Sequence, residues 1–314
     1  MPGGWAASAC GAGAPSRQRA ASPRSASKAL NVNYPIWPDP RCGPETSAAM
    51  RQHLQIQYDA HGLGPVPEPA GGVSDVGPEH VAVLLDTKPE MVSFHFGLPE
   101  PEVIRALKSA GIFILSSATT VAEARLLEQR GVDAIIAQGI EAGGHRGTFT
   151  GVNMSMQPGL FSLLPQVVDA VRLPVVAAGG VADGRTAAAA FMLGASAVQL
   201  GTAFLLCEEA DVRDAHRAAL AEADDACTAV TDVISGRPCR YIRNKLIDDL
   251  EASGLEPLPV PAQQSLTQRL GDSGDREWTA LTSGQSAALA RATKAAELVE
   301  RLADETTRRL RAFA

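Results

Sequence analysis

The fold is decided by the stretch AIIAQGIEAGGHRG, residues 134–147. It begins with an unbroken apolar run, which is typical of a strand covered on both faces of a parallel sheet. The glycine-rich remainder follows as a loop at the carboxyl end of that strand. Active sites of α/β proteins lie at that end, so this stretch predicts both the fold class and the place of its chemistry.

Similar apolar runs recur along the chain and alternate with segments of helical composition. The runs are Val32–Ile36, Met91–Phe96, Ile112–Leu115, Ala134–Ala137, Pro174–Ala178 and Ala197–Leu200. Between them, Val121–Arg130 and Gly184–Leu193 carry Ala, Leu or Glu at helical spacing. Alternation of strand and helix with short connections predicts a parallel sheet, either doubly wound or closed into a barrel.

Three segments depart from this alternation and suggest a domain organisation. Residues 1–30 contain Arg and Lys among Ala, Ser, Gly and Pro but no acidic residue, as in a disordered arm or a transit peptide. Residues 39–85 interrupt the pattern and are predicted to form an insertion or cap. After Cys207 the chain becomes mostly helical. We therefore predict a barrel over residues 31–224 and a helical C-terminal region over residues 225–314.

Composition excludes several classes of protein. The 314 residues are 45% hydrophobic and carry a net charge of −7, which argues against the basic surface of a nucleic-acid binder. The five cysteines are odd in number and form no Cys-x-x-Cys pair, which argues against a disulfide framework and a zinc site and suits a reducing cytosol. No apolar run approaches the roughly 18 residues of a membrane span. The sequence thus predicts a soluble, cytoplasmic protein.

Two glycine-bearing turns close the last two predicted strands. They are Gly179–Gly180 and Gly201–Thr202. Glycine lets a ligand approach the backbone and leaves N–H groups facing an anion, and the loops after the last two strands of a (β/α)8 barrel form its usual phosphate site. Either turn alone could simply end a strand, without binding a ligand. Neither has the spacing of a dinucleotide-binding fingerprint or a P-loop.

His145 is the strongest catalytic candidate, because it lies in the glycine-rich loop after a parallel strand and an imidazole suits acid–base work near neutral pH. Glu141 and Arg146 flank it and could tune it, or could be solvated loop charges. A structural role is the alternative for His145. His95, at the end of another strand, is a weaker candidate that we interpret as a core or supporting histidine. No cluster of ligands suggests a metal site.

Taken together, these strand ends resemble those of the nitronate monooxygenase family. The matching stretches are Ser93–Pro99, Leu115–Thr120, Gln138–Gly147, Ala177–Gly184 and Gln199–Leu205, and Ser273–Asp275 and Ser283–Gln285 are similar to the family's tail. The resemblance implies a (β/α)8 TIM-type barrel that binds FMN and oxidises alkyl nitronates, such as propionate 3-nitronate, with O2 to a carbonyl product and nitrite. It implies neither a metal nor a nicotinamide.

The resemblance also assigns residues. It places His145 in the position of the catalytic histidine, and it places FMN contacts at Asn33, Gln138, Gly143, Gly180, Gln199, Leu200, Gly201 and Thr202. Gly179 is added because its backbone shares the turn of Gly180. The partners would be a small nitronate and O2, with the oligomeric state left between monomer and homodimer.

Two other functions stay open. An FMN-dependent enoyl-ACP reductase, or an NADH-using oxidoreductase, has a very similar glycine–histidine loop, although Ala137, Gln138 and Arg146 favour the monooxygenase branch. The second is an inactive flavin- or phosphate-binding remnant, or a partner of an intact paralogue.

The N-terminal part departs from the family pattern. Members begin with a strand that ends in Ala-Pro-Met, and no such tripeptide occurs here, whereas Gly3–Ser8 is similar to a degraded second strand. We therefore expect barrel strands three to eight to be intact, the second to be doubtful and the first to be absent. The explanations left open are a mis-set start, partial replacement by the residues before 30, and a decayed copy.

Overall fold

Six parallel strands form the central sheet. The computed structural model describes residues 30–36, 44–70, 76–151 and 153–313, so the predictions for residues 1–29 and for Cys42 lie outside it. The strands are β1 (Asn31–Pro35), β2 (Met91–His95), β3 (Phe113–Ala118), β4 (Ala134–Gln138), β6 (Val175–Ala178) and β7 (Ala197–Gln199), in the order β1-β2-β3-β4-β6-β7. All six predicted strands are confirmed.

The strand order decides between the two predicted architectures. Each parallel strand pairs with the next parallel strand along the chain, and the order never reverses. A doubly wound sheet reverses its order at a switch point, whereas a (β/α)8 barrel does not. The fold is therefore of the TIM-barrel type, and the described residues contribute six consecutive strands of it.

Helices cover the outer face of this sheet. The ten α-helices of the described residues are α1 (Pro44–Ala60), α2 (Pro78–Thr87), α3 (Pro101–Ser109), α4 (Val121–Gln129), α5 (Leu160–Ala170), α6 (Gly184–Met192), α7 (Asp214–Ala221), α8 (Lys245–Ala252), α9 (Ala262–Thr267) and α10 (Ala295–Phe313). Side-chain caps fix some starts: Asp183 accepts hydrogen bonds from the N–H groups of Arg185 and Thr186 at α6. None of the helices in the described part is long and apolar enough to cross a membrane.

The two faces of the sheet differ, as the two-residue period of strands requires. The outer face contributes large side chains such as Val92, Phe94 and Ile135 to the main core beneath the helices. The inner face holds a smaller apolar cluster that includes Leu115 and Ile136. At the carboxyl ends of the strands, the inner face turns polar and carries Asn33, Ser93, His95, Ser117, Gln138 and Gln199.

A second core joins the insertion to the C-terminal region. Met50, Leu54 and Tyr58 of α1 are buried against residues from the 233–270 range, including Leu246 and Leu266. The hydroxyl of Tyr58 donates to the carbonyl of Leu266 at 2.6 Å. Two segments far apart in sequence therefore fold as one cap.

A small antiparallel sheet was not predicted. It consists of β5 (Gly144–His145), β9 (Cys239–Ile242) and β8 (Thr228–Thr231), in that order. Thus the C-terminal region contains helices and also supplies a strand that pairs with the histidine loop.

The last helix begins later than its composition suggests. Good helix formers start near Ala287, but α10 begins at Ala295. The preceding residues are held in other contacts: Thr293 forms a bridge with Cys207, and the Glu209 carboxylate accepts the N–H of Ala295. Tertiary contacts override local propensity here. From Ala295 onward, α10 packs against α6.

Candidate active site

The loop after β4 carries His145 to the carboxyl edge of the sheet. Gly144 has a φ of 77°, in the left-handed region that favours glycine. The next residue then pairs with β9, where His145 lies opposite Cys239. The N–H of Arg146 donates to the carbonyl of Pro238 at 2.8 Å. The histidine backbone is therefore held as part of a sheet.

Gln138 fastens this loop from the end of β4. Its Nε2 donates to the carbonyl of His145 at 3.1 Å, and its Oε1 accepts the N–H of Gly147 at 2.8 Å. The Arg146 guanidinium donates to the Gln138 carbonyl. In this structure the Gln138 side chain orients the histidine loop, and one amide hydrogen is left for a ligand.

The His145 ring lies in a largely buried, cationic setting. Its Nε2 is 3.0 Å from the hydroxyl of Ser235, and its ring meets Phe96 edge-on with centroids 6.0 Å apart. Burial, followed by the nearby His95 and Arg237, lowers the pKa of His145 to about 3. The imidazole is therefore neutral at pH 7.

His95 supports the same loop from β2. Its Nε2 lies 3.2 Å from the carbonyl of His145, and because a carbonyl only accepts, this nitrogen carries the proton. Burial lowers the pKa of His95 to about 4, opposed by this hydrogen bond and reinforced by Arg237. The supporting role expected for His95 matches this position.

Phe96 links the two histidines to an arginine. It adopts a φ of 69°, an uncommon conformation for an aromatic residue and one that concentrates at functional sites. Its ring lies 4.3 Å from that of His95, and the Arg237 guanidinium carbon lies 4.2 Å from the Phe96 centroid. The Arg237 guanidinium also donates to the carbonyl of Thr148, which ties the loop to the C-terminal region.

The two lowered histidine pKa values predict a pH dependence of stability. Each folded pKa lies below the unfolded value of 6.5, so the unfolded state binds more protons and the free energy of unfolding falls as pH drops from about 6.5 towards 4. In a His95→Gln variant this fall should be shallower by roughly 1 kcal/mol per pH unit. Urea unfolding at pH 7, 6 and 5 measures it. Parallel curves for both proteins would refute the lowered pKa of His95.

Glu123 anchors the far side of the histidine loop and was not among the site residues predicted from the sequence. Its carboxylate is fully buried and accepts the N–H groups of Thr119, Phe149 and Thr150 at 2.7, 2.8 and 3.2 Å. The hydroxyls of Thr119 and Thr148 donate to it at 2.7 and 2.8 Å. Burial alone would raise the pKa of this carboxyl, but these hydrogen bonds outweigh burial and lower it.

The two predicted phosphate turns lie beside the histidine loop. Gly179 and Gly180 have φ values of 100° and 71°, which other residues rarely adopt. Gly180 and Thr202 are partly exposed and Gly201 is exposed. Among the residues that the structure describes, none has an atom within 4 Å of the place where a Cβ on Gly201 would be. No acceptor in the described part of the chain pairs with the N–H groups of Gly180, Gly201 or Thr202. Such clustered donors fit a phosphate.

A segment near the C-terminus, Ser283–Ser286, joins the two predicted phosphate turns to the histidine loop. The N–H of Gly284 donates to the Thr202 hydroxyl, and the Ser286 hydroxyl donates to the Gly180 carbonyl, both at 2.9 Å. The N–H of Gln285 donates to the Glu141 carbonyl at 3.0 Å. We call this segment the clasp. Because the Thr202 hydroxyl accepts from the clasp, its own proton can point to a ligand.

Gly143 and Gly284 make the clasp's closest approach to the histidine loop. A Cβ on Gly143 would lie 2.5 Å from the nitrogen of Gly284, and a Cβ on Gly284 would lie 2.9 Å from the Glu141 carbonyl oxygen. Both positions therefore need glycine. The sequence singled out Gly143 by resemblance, but only the packing shows why Gly284 matters.

The other predicted contacts are spread along the same edge. Gln199 ends β7 and is followed by the buried Leu200. Asn33 lies on β1, at the opposite edge of the described sheet, where its Oδ1 accepts the Ser93 hydroxyl at 2.9 Å. Gly143, Gly180 and Thr202 are thus linked through the clasp, and Gln138 bonds to the same histidine loop that contains Gly143. Asn33 shares their face of the sheet, but no hydrogen bond joins it to them within the described residues.

Comparison with known proteins shows which family this chain is similar to. The model of the nitronate monooxygenase family matches residues 68–305. A nitronate monooxygenase of Pseudomonas aeruginosa is 45% identical over 73% of this chain, and one of Paraburkholderia phytofirmans is 45% identical over 76%. The matches span 66% and 67% of those two proteins, so this chain corresponds to about two thirds of their length.

Solved structures show the same likeness. A nitroalkane oxidase from Streptomyces ansochromogenes superposes with a TM-score of 0.84 at 38% identity, over 91% of this chain and 83% of that one. FabK from Thermotoga maritima superposes with a TM-score of 0.65 at 28% identity, over 89% of this chain and 95% of that one. Since the family model covers well over half of the residues, this chain belongs to the nitronate monooxygenase family.

Proposed function

We propose that this protein is an FMN-dependent enzyme that oxidises alkyl nitronates, such as propionate 3-nitronate, with O2 to a carbonyl product and nitrite. The observation that carries the proposal is a neutral His145 whose loop the clasp joins to two neighbouring glycine turns. Membership of the family supports it. The protein would act in the cytoplasm on a small nitronate and O2, as a monomer or homodimer.

The residues at the site fit FMN. The backbones of Gly179, Gly180, Gly201 and Thr202 would hold its phosphate, since they offer N–H donors, and Gly201 leaves open space. The remaining contacts would come from Asn33, Gln138, Gly143, Gln199 and Leu200. When bound, FMN would supply the redox chemistry, taking electrons from the nitronate and passing them to O2.

His145 would face the substrate and donate a hydrogen bond from its ring N–H to a nitronate oxygen. A nitronate has already lost its acidic proton, so it offers the neutral imidazole only acceptor atoms. Its loop is fixed on both sides, by Gln138 and by β9, so the ring is oriented before substrate arrives.

The domain boundaries proposed from sequence suit these roles. An FMN-binding barrel over residues 31–224 would carry the turns and His145. The insertion over residues 39–85 and the C-terminal region over residues 225–314 would shape the substrate pocket, and they are supported by the core that α1 shares with the C-terminal region.

Nitrite release distinguishes the candidate functions. FMN-loaded protein is mixed with propionate 3-nitronate in air, and nitrite and O2 are followed without NADH. The proposal expects nitrite and O2 uptake together. Oxidation of NADH with an enoyl thioester, without nitrite, would favour the reductase alternative. Bound FMN with neither activity would favour an inactive flavin-binding remnant.

A Gly201→Ala variant tests the phosphate site. The new methyl group meets no atom of the described residues within 4 Å, so the free energy of unfolding of the FMN-free protein should not change. If phosphate occupies this space, FMN should bind about tenfold more weakly or worse, a loss of ~1.4 kcal/mol or more. Fluorescence titration measures both FMN and riboflavin.

Riboflavin is the control, because it lacks the phosphate and its affinity should stay as in the parent protein. An FMN dissociation constant equal to that of the parent would place the phosphate elsewhere.

A further inference from the structure

Arg237 is a cation beside the candidate catalytic ring, although neither the sequence motifs nor the proposed flavin site includes it. It lies between β8 and β9 and is partly exposed. Its guanidinium carbon lies 4.2 Å from the centroid of the Phe96 ring, and the same ring meets that of His145 edge-on. One aromatic side chain therefore contacts both the cation and the histidine.

The turn that carries Arg237 is held on both sides. Gly236 has a φ of 81°, in the left-handed region that favours glycine, and a Cβ at this position would collide with the carbonyl oxygen of Leu258. On the other side of Arg237, the carbonyl of Pro238 accepts the N–H of Arg146 at 2.8 Å. Packing and hydrogen bonds thus fix the backbone from which the guanidinium extends.

Most hydrogen-bond donors of Arg237 have no acceptor in the described part of the chain. Of its three side-chain nitrogens, only Nη2 donates within these residues, to the carbonyl of Thr148, and the buried Nε has no partner. By contrast, all three side-chain nitrogens of Arg146 and of Arg240 donate to protein atoms. Buried donors without acceptors are costly, so Arg237 has donors to offer a ligand.

The charge of Arg237 also lacks an ion-pair partner among the described residues, whereas an exposed arginine such as Arg105 has one. Burial lowers the pKa of Arg237 and Glu123 opposes this, but a guanidinium stays protonated at pH 7. The Glu123 carboxylate already accepts from Thr119 and the 148–150 loop. An anionic group of a ligand would supply what the protein does not.

We propose that Arg237 binds a carboxylate at the far end of the substrate, so that the enzyme selects nitronates that carry a second anionic group. This inference rests on the proposed function, in which His145 donates to the nitronate group. The planar guanidinium suits a carboxylate because two of its N–H groups can donate to the two oxygens. In propionate 3-nitronate the two charged groups lie at opposite ends of a short chain, one for each residue.

Two nitronates of equal chain length test this selection. Propyl 1-nitronate has the three carbons of propionate 3-nitronate but ends in a methyl group. The FMN-loaded parent should show kcat/KM about tenfold or more higher for the carboxylate substrate. Arg237→Gln should lower kcat/KM for that substrate alone, and Arg237→Lys should keep part of the preference. Arg105→Gln, which removes the same charge at an exposed position, should keep all of it.

Succinate provides a readout without turnover. It has the shape of propionate 3-nitronate with a carboxylate in place of the nitronate group, and butyrate lacks the second carboxylate. Isothermal titration calorimetry of the FMN-loaded parent should show that succinate binds about tenfold or more tightly than butyrate. Arg237→Gln should bind the two compounds equally, and Arg105→Gln should behave as the parent.

Equal kcat/KM of the parent for the two nitronates would overturn the proposal, whether or not any variant folds. So would an Arg237→Gln protein that loses the same factor with both, because that result is expected if Arg237 only ties the loop to Thr148. If succinate binding depends on Arg237 but no preparation releases nitrite, the carboxylate site stands and the proposed function fails. Nitrite release without any preference between the substrates would have the opposite meaning.

Discussion

A His145→Ala variant should oxidise propionate 3-nitronate with kcat/KM reduced by about two to three orders of magnitude, the range for loss of one positioned hydrogen-bond donor to the reacting group. Flavin should stay bound, because the contacts that shape the loop do not use the ring. Gln138 and His95 both bond to the His145 carbonyl, and β9 pairs with its backbone. Nitrite release and the flavin spectrum of the same preparation measure the two effects.

A second histidine variant supplies the control for this experiment. His80 occupies the third position of α2, where its ring accepts the N–H of Gly77. Glutamine serves the same capping role, so His80→Gln should keep both stability and kcat/KM. Full activity of His145→Ala would remove His145 from the chemistry. Loss of flavin would instead make it a binding residue.

A Glu123→Gln variant should lower the free energy of unfolding by about 2–4 kcal/mol, since hydrogen bonds to a buried charge are strong and lost partners stay unsatisfied. The carboxylate receives donors from two directions, Thr119 on one side and the 148–150 loop on the other. An amide of the same shape turns an N–H group towards donors. Urea unfolding of the two proteins at pH 7 gives the difference.

An exposed glutamate serves as the matched comparison. Glu102 forms an ion pair with Arg105 in which both side chains are mostly exposed, and such pairs contribute little, so Glu102→Gln should leave the free energy of unfolding essentially unchanged. Equal stabilities for Glu123→Gln and Glu102→Gln would show that the buried carboxylate does not anchor the loop.

The strands could be predicted because each is a short apolar run, and a strand that is buried on both faces consists mostly of apolar residues. The choice between a barrel and a doubly wound sheet could not be predicted, since both folds alternate strand and helix in the same way. Only the pairing order β1-β2-β3-β4-β6-β7 resolved it.

The small sheet was missed for a different reason. Its strands β8 and β9 have four residues each, and its histidine strand β5 has two. Pairing of His145 with Cys239 joins positions far apart in sequence, and no local pattern encodes such contacts.

Some residues of the candidate site could likewise be predicted from the sequence and others could not. Glycine turns and a histidine after strands were visible because residue type and position along a strand suffice to notice them. Ser235 and Ser286 were not, and Gly284 was noted only as part of a stretch similar to the family's tail. The roles of Ser235, Gly284 and Ser286 arise from contacts with residues 90, 82 and 106 positions away. Glu123 had one local signal: it is three residues after Thr120, the spacing of a helix-capping box.

The visible absorption spectrum of the purified protein, loaded with FMN and freed of excess, tests the central claim most directly. The account predicts flavin bands at one FMN per chain that bleach when propionate 3-nitronate is added without air and return, with nitrite, when air is admitted. A colourless protein after loading would contradict the flavin site. Bound flavin that NADH bleaches but the nitronate does not would contradict the assigned reaction.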